Sequence, residues 1–329
     1  MPAKKDWLLH FSRYFVGVLF TISGLIKVND IRGFGYKLEE YFEVFQKHTG
    51  LPFYEVFGPW SVSLAGLIAV FETALAIFLI LGYVRRFTAW ALLLMIVFFT
   101  FLTGYSAITK AVSDCGCFGD VIKFTPWQSF GKDVLLLIFI GYIFLRREEI
   151  QPLLRAPYQG YAAWGLTVLV AGLTLYFYLY LPAIDFLPYY EGRSLRQALE
   201  PGPQGVPEIT DYVPIKYSEC SLDELSGEVI LVVARQLENL PEAAVKSLKA
   251  FLQALPAGRF QVVGVSASPS EVRKAWPRMH GLEMCVAAQD QTVLKAMLRS
   301  DLGVIYLKDG VILRKWPWRR LSARLAQAL

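Results

Sequence analysis

Five apolar runs, each long enough to cross a bilayer, lie within the first 182 residues: Trp7–Val28, Trp60–Gly82, Phe87–Gly104, Trp127–Leu145 and Tyr161–Leu181. A membrane helix needs roughly 20 mostly apolar residues, because hydrocarbon offers the backbone no hydrogen-bonding partner outside the helix itself. The third run is the shortest but almost uniformly apolar, and tryptophan or tyrosine at several run ends fits an interfacial belt. Residues 183–329 read instead as a water-soluble domain, so the 55% hydrophobic content of the 329-residue chain is concentrated in its first part.

Basic residues set the expected orientation. Lys4 and Lys5 precede the first run, and Arg85, Arg86, Arg146, Arg147 and Arg155 fall in short connections on the same side. Loops 29–59 and 105–126 on the other side are longer and less densely basic. The positive-inside rule then predicts a cytoplasmic amino terminus, an inner-membrane location and a periplasmic carboxy-terminal domain. Lys4 and Lys5 before an apolar run resemble a signal peptide. Ser12 and Arg13 interrupt that run and no small-residue cleavage site closes it, so an uncleaved first helix is expected. The net charge of +5 reflects these topology signals and a basic tail, and implies no nucleic-acid partner.

The segment Asp114-Cys115-Gly116-Cys117-Phe118-Gly119-Asp120 sits between the third and fourth runs. A Cys-x-Cys disulfide closes a very small ring and is expected to be easily reduced, with Gly116 relieving part of the strain. Asp114 and Asp120 oppose thiolate formation. Three readings stand: a redox-active pair, a structural disulfide, or a reduced or metal-related pair. His10, His48 and His280 are scattered, so no metal site is expected from this loop.

Ionisable residues within spans normally face protein or a cavity. Glu72 stands near the middle of the second run, with Arg13 two turns into the first, and this depth suggests an Arg13–Glu72 contact. Lys27 and Asp133 lie at matching depths and suggest a second pair. Helix–helix glue and proton transfer are both open readings for these four, and Ser23, Gly24, Gly66 and Ala74 suggest close packing. Between the first two runs, Phe34, Leu38, Tyr41, Phe42 and Phe45 recur at helical spacing, which predicts an amphipathic interfacial helix acting as a lid or a gate.

Composition divides the chain into a four-helix transmembrane bundle over 1–150, a fifth tethering transmembrane helix with a Pro/Gly-rich linker over 151–209, and a soluble α/β domain over 210–329. In the last, Glu228–Ala234, Phe260–Ser266, Gly303–Lys308 and Val311–Trp316 read as strands, the final two joined at Asp309-Gly310. Pro241–Leu255, Glu271–Met279 and Gln291–Arg299 read as helices, giving the order of a thioredoxin-like α/β sandwich. Cys220 and Cys285 pair with each other, exchange with the loop cysteines, or stay buried as small hydrophobes. Cys285, in Met284-Cys285-Val286, looks like a core position, and Cys220 the more exposed of the two.

Phe20-Thr21-Ile22-Ser23-Gly24-Leu25-Ile26-Lys27, Glu72, and Asp114–Asp120 followed by Pro126-Trp127 and Lys132-Asp133 resemble the DoxX-like superfamily and, within it, the MauE-like (methylamine utilisation) branch, over residues 7–145. Leu181–Phe186, Leu294–Ser300, Leu307–Gly310 and Lys315-Trp316 make the whole similar to a Bacteroidota-type family that appends a thioredoxin-like domain. The resemblance implies a bundle akin to disulfide-forming and quinone-linked membrane proteins, with quinone as the implied cofactor. It also implies a role in periplasmic redox maturation beside a thioredoxin-like partner. Two departures stand out. Ala234-Arg235-Gln236-Leu237 occupies the Cys-x-x-Cys position, and Asp301-Leu302-Gly303 the cis-proline position. The expected function is therefore thiol–disulfide or quinone-linked electron transfer at Cys115 and Cys117, with the outer domain docking a periplasmic client. Its rival is a non-catalytic accessory subunit of a larger membrane complex, and a third reading is a transporter-like bundle centred on Glu72.

Overall fold

The computed structural model describes residues 6–110, 112, 119, 121–122, 124–200, 207–209, 211–215 and 218–329. They form two compact units, Met1–Tyr178 and Leu179–Leu329.

The first unit is helical. Helix α1 (Trp7–Asn29) starts where the Asp6 carboxylate accepts from the Leu9 amide. Asp30 then serves two helices, ending α1 and accepting from Gly33 at the start of α2 (Ile31–Thr49). After the short α3 (Phe53–Phe57) come α4 (Ser61–Leu81) and α5 (Arg85–Thr109). α6 (Pro126–Leu145) opens on a reciprocal Thr125–Gln128 capping box with proline in its first turn, and α7 (Tyr158–Leu179) follows. Five helical stretches, Trp7–Asn29, Phe53–Leu81, Arg85–Thr109, Pro126–Leu145 and Tyr158–Leu179, are long and apolar enough to cross a membrane.

Glycine sets how closely α1 and α4 approach. A Cβ on Gly17 would lie 2.5 Å from Ile80, and one on Gly24 would lie 2.2 Å from the Thr73 hydroxyl. Rising positions on α1 thus meet falling positions on α4, so the two helices run antiparallel. Val16, Phe20, Leu75, Leu79, Leu92, Ile96 and Ile140 fill the core where α1, α4, α5 and α6 meet. α2 lays Phe34 and Leu38 against Ala65 of α4, as the helical spacing of its aromatics predicts. The fifth span packs Ala163 against Phe78 and Leu81, and Val170 against Val28 and Ala69.

The second unit is built on a mixed sheet of order β3-β2-β1-β4-β5, from β1 (Glu228–Ala234), β2 (Gln261–Ser266), β3 (Cys285–Ala288), β4 (Leu302–Lys308) and β5 (Val311–Pro317). β1, β2 and β3 run parallel, and β4 and β5 antiparallel. Helices α9 (Glu242–Gln253), α10 (Ser270–Met279) and α11 (Gln291–Met297) connect them. β1 is buried on both faces: Val229, Leu231 and Val233 enter one core, and Ile230, Val232 and Ala234 the other. This is why it reads as an unbroken β-branched run rather than an alternation. Asp309 and Gly310 both take positive φ, as the favoured two-residue hairpin turn demands. The stretch expected as linker carries helix α8 (Leu195–Leu199) and contributes Tyr189, Leu195 and Ala198 to the core of this unit.

Candidate functional site

The helical unit buries several polar side chains, among them Arg13, Lys27, Glu72, Thr103, Ser106 and Asp133. The Lys27 ammonium straddles the Glu72 carboxylate, aligned on Oε1 at 3.1 Å and closest to Oε2 at 2.9 Å, with both residues at most 3% exposed. It also donates to the Ser23 hydroxyl at 2.7 Å and lies over the rings of Phe34 and Phe99. Taking an unpaired charge to the middle of a membrane costs about 2.5–3.5 kcal/mol, and pairing within hydrogen-bond distance offsets much of that.

This pairing corrects the expected Arg13–Glu72 and Lys27–Asp133 contacts, and helix geometry explains why. Side chains lean toward the amino terminus of their own helix. On antiparallel helices Arg13 and Glu72 therefore lean apart, whereas Lys27 and Glu72 lean together. The Arg13 guanidinium reaches the carbonyl of Ile80, eight residues from Glu72, or about 12 Å along the axis at 1.5 Å per residue. Its guanidinium instead donates to the carbonyls of Leu79 (2.9 Å), Ile80 (2.8 Å) and Gln151 (2.8 Å). These include the last carbonyls of α4, which lack intrahelical partners and carry its negative dipole end. Arg13 is a cap, and Gly82, at φ 73°, leaves it room.

Asp133 accepts from the Thr103 hydroxyl at 3.0 Å and from its neighbour Lys132. A cavity of about 20 Å3 is lined by Lys27, Lys37, Tyr41, Thr103 and apolar residues of α2 and α5, so that it touches one partner of each acid. It has room for one water molecule. Tyr41 shares a 2.9 Å hydrogen bond with Ser106 at the same level. Sequence reasoning missed Thr103, Ser106 and Tyr41. The signal was present, since Thr103 and Ser106 stand at i, i+3 on α5 and Ser129 and Asp133 at i, i+4 on α6, each pair on one buried face.

Of the loop, Asp114, Cys115, Gly116, Cys117 and Asp120 lie outside the described residues. Gly119 has φ 53°, and a Cβ there would touch Ile26 at 3.3 Å. Among the described residues no cluster of three or more His, Cys, Asp or Glu side chains is arranged to hold a metal.

Two spaces in this unit bear on whether a quinone fits. The water-sized cavity excludes its ring. A groove of about 590 Å3 between α4 and α7, lined by residues such as Leu67, Phe71, Phe78 and Trp164, fits an isoprenoid tail. Its Thr167 and Thr174 hydroxyls are committed as donors to carbonyls one turn back in α7.

In the second unit Cys220 and Cys285 form a disulfide. Exposure reverses the expectation: Cys285 is exposed and Cys220 half-buried, packed on the core. Just past β1, Arg235 Nη2 pairs with Asp301 at 2.8 Å, joining the ends of β1 and β4.

Five apolar helices carrying buried charge, joined to a mixed-sheet α/β unit, define a multi-pass membrane protein. Residues 5–146 match the family model described as methylamine utilisation protein MauE. The chain is also similar to Protein TlpB of Flavobacterium psychrophilum, at 29% identity over 149 residues, covering 43% of this chain and 37% of that relative. No solved structure matches significantly.

Proposed function

We propose that the protein is a membrane redox protein in which Cys115 and Cys117 exchange electrons with a periplasmic thiol client or a membrane quinone. The observation that carries this reading is the MauE match over 5–146, a segment that contains both the cysteine pair and the buried Lys27–Glu72 and Thr103–Asp133 contacts. Disulfide formation releases two electrons and two protons. Buried acids whose partners Lys27 and Thr103 line a water-sized cavity are suited to accept or relay protons on that scale. Lys4, Lys5, Arg85, Arg86, Arg146, Arg147 and Arg155 support a cytoplasmic amino terminus, which puts the loop and the α/β unit on the oxidising side. The mixed sheet of order β3-β2-β1-β4-β5, with no Cys-x-x-Cys after β1, supports a docking role for the α/β unit. Where quinone is bound, it would supply the electron sink, its tail in the α4–α7 groove.

Alkylation gel-shift in native membranes, on wild type and Cys115→Ser, tests this. The expected result is a loop pair that shifts between oxidised and reduced forms and accumulates reduced when quinone turnover is poisoned. A pair that stays oxidised and indifferent to the poison would sink the redox reading. The Arg235–Asp301 pair at the dithiol position favours a second reading, a non-catalytic accessory subunit of a larger complex with a structural loop disulfide. Stoichiometric partners retained in mild detergent would support it.

A further inference from the structure

A second cysteine pair lies in the α/β unit. Cys285 opens β3, the edge strand of the sheet, and is exposed, whereas its partner Cys220 is half-buried against the core. One exposed and one half-buried cysteine suits an exchanging pair, since one sulfur must be reachable by an incoming nucleophile while the other stays close enough to resolve the mixed disulfide.

Hydrogen bonds also tie together the segments that carry the pair. The segment bearing Cys220 is anchored by the buried Glu224, which accepts from the Tyr212 hydroxyl and the Ile215 amide, each at 3.0 Å. Gln289, just past β3, clasps Val213 through both its amide atoms, at 3.2 and 3.1 Å. Arg273 ties Glu219, next to Cys220, to the Val286 carbonyl, next to Cys285, at 2.7 and 3.3 Å. Breaking the S–S bond therefore leaves the two sulfurs facing each other across a tethered gap. A disulfide acting as a staple has its effect where little else closes the loop.

Cys285 also opens onto space large enough for a substrate. A cleft of about 480 Å3 is lined by Cys285, Met284, Arg273, Lys274, Arg278, Glu219 and Glu283, with Glu219 paired to Arg273 at 2.7 Å and to Lys274 at 3.7 Å.

We propose that Cys220–Cys285 is a second thiol–disulfide exchange site, with Cys285 as the exchanging sulfur, Cys220 as the resolving one, and a dithiol as substrate. The first substrate thiolate attacks Cys285 Sγ, forming a mixed disulfide as the Cys285–Cys220 bond breaks and Cys220 leaves as a thiolate that takes up a proton. The second substrate thiolate then attacks the substrate sulfur of the mixed disulfide, and Cys285 leaves as a thiolate that takes up the second proton. Two electrons and two protons pass from the dithiol to the pair, and the substrate departs as a disulfide.

The test uses the full chain in detergent with Cys115→Ser and Cys117→Ser, so that the loop cannot contribute and its own role stands or falls separately. Dithiothreitol is expected to open the pair in the folded protein, with the melting transition still cooperative afterwards. Adding Cys220→Ser or Cys285→Ser then leaves a single thiol. Free Cys285 is expected to be alkylated, and to capture glutathione from its disulfide, at least tenfold faster than free Cys220. If the loop substitutions impair folding, peptide mapping of alkylated wild type after mild reduction gives the same readout. A pair that opens only in denaturant, or two single thiols of equal reactivity, would overturn the proposal.

Discussion

Each unit buries a lysine against a carboxylate, but the two lysines sit in different physical settings. In the α/β unit, Lys315 reaches Asp185 at 2.6 Å and the Tyr189 carbonyl at 3.1 Å, while the sheet's own backbone hydrogen bonds already fix which strands are neighbours. Burial holds its amine below the usual lysine range, partly offset by Asp185. In the helical unit every helix satisfies its backbone internally, so no backbone bond between helices sets their register. Side-chain polar contacts do that work: Lys27–Glu72 for α1 and α4, Thr103–Asp133 for α5 and α6, Tyr41–Ser106 for α2 and α5. Polar pairs thus trim a fold already specified in one unit and help specify it in the other.

The sharpest way to break this contrast is to remove one member of the helical pair. Glu72→Ala leaves Lys27 buried without its carboxylate and is expected to destabilise by about 3–5 kcal/mol, whereas Lys27→Met with Glu72→Leu should recover most of the loss. Thermal unfolding in detergent measures both, and equal losses for single and double variants would contradict a register-setting pair. Close approach gives the next effect. A Cβ at Gly303 would lie 2.3 Å from the Trp316 carbonyl oxygen, a backbone atom, whereas one at Gly24 would meet mainly the Thr73 side chain. Gly303→Ala is expected to cost more than Gly24→Ala, both within about 1–3 kcal/mol, and Thr73→Ala should rescue only the second.

The smallest effect is one of pH on the sheet. Hydrogen bonds from Arg259 and Lys308 hold the Glu228 carboxyl below the ordinary glutamate value of 4.5. A depressed acid binds fewer protons folded than unfolded, so its contribution is fully present above about pH 4.5 and is lost as pH falls through the lower folded value. Amide exchange at β1 and β4 should accelerate across that window. Replacing Arg259 and Lys308 by methionine should flatten the response.

Much of this was legible in advance because period and length are local properties. The helices, the strands of the α/β unit and the Asp309-Gly310 hairpin follow from apolar spacing and turn chemistry. The pairings were not legible, since depth along a span does not reveal which way a side chain leans, and lean separates Arg13 from Glu72. Cys285 misled for a related reason. Met284-Cys285-Val286 reads as core, but the strand order leaves β3 at the edge with its first residue outward, and no local pattern encodes strand order. The fit of Tyr189 and Leu195 into the α/β core was masked by the prolines and glycines around them.

The Lys27–Glu72 pair also bears on how the chain is made. Its two charges are 45 residues apart in sequence, on different spans. When α1 leaves the insertion machinery its lysine has no carboxylate to neutralise it, and α4 has yet to be synthesised. Until then the first span is metastable in lipid, held at the channel or with its lysine drawn to an interface. Arrival of α4 then converts two unfavourable insertions into one neutral unit, and the order of synthesis becomes the order of assembly.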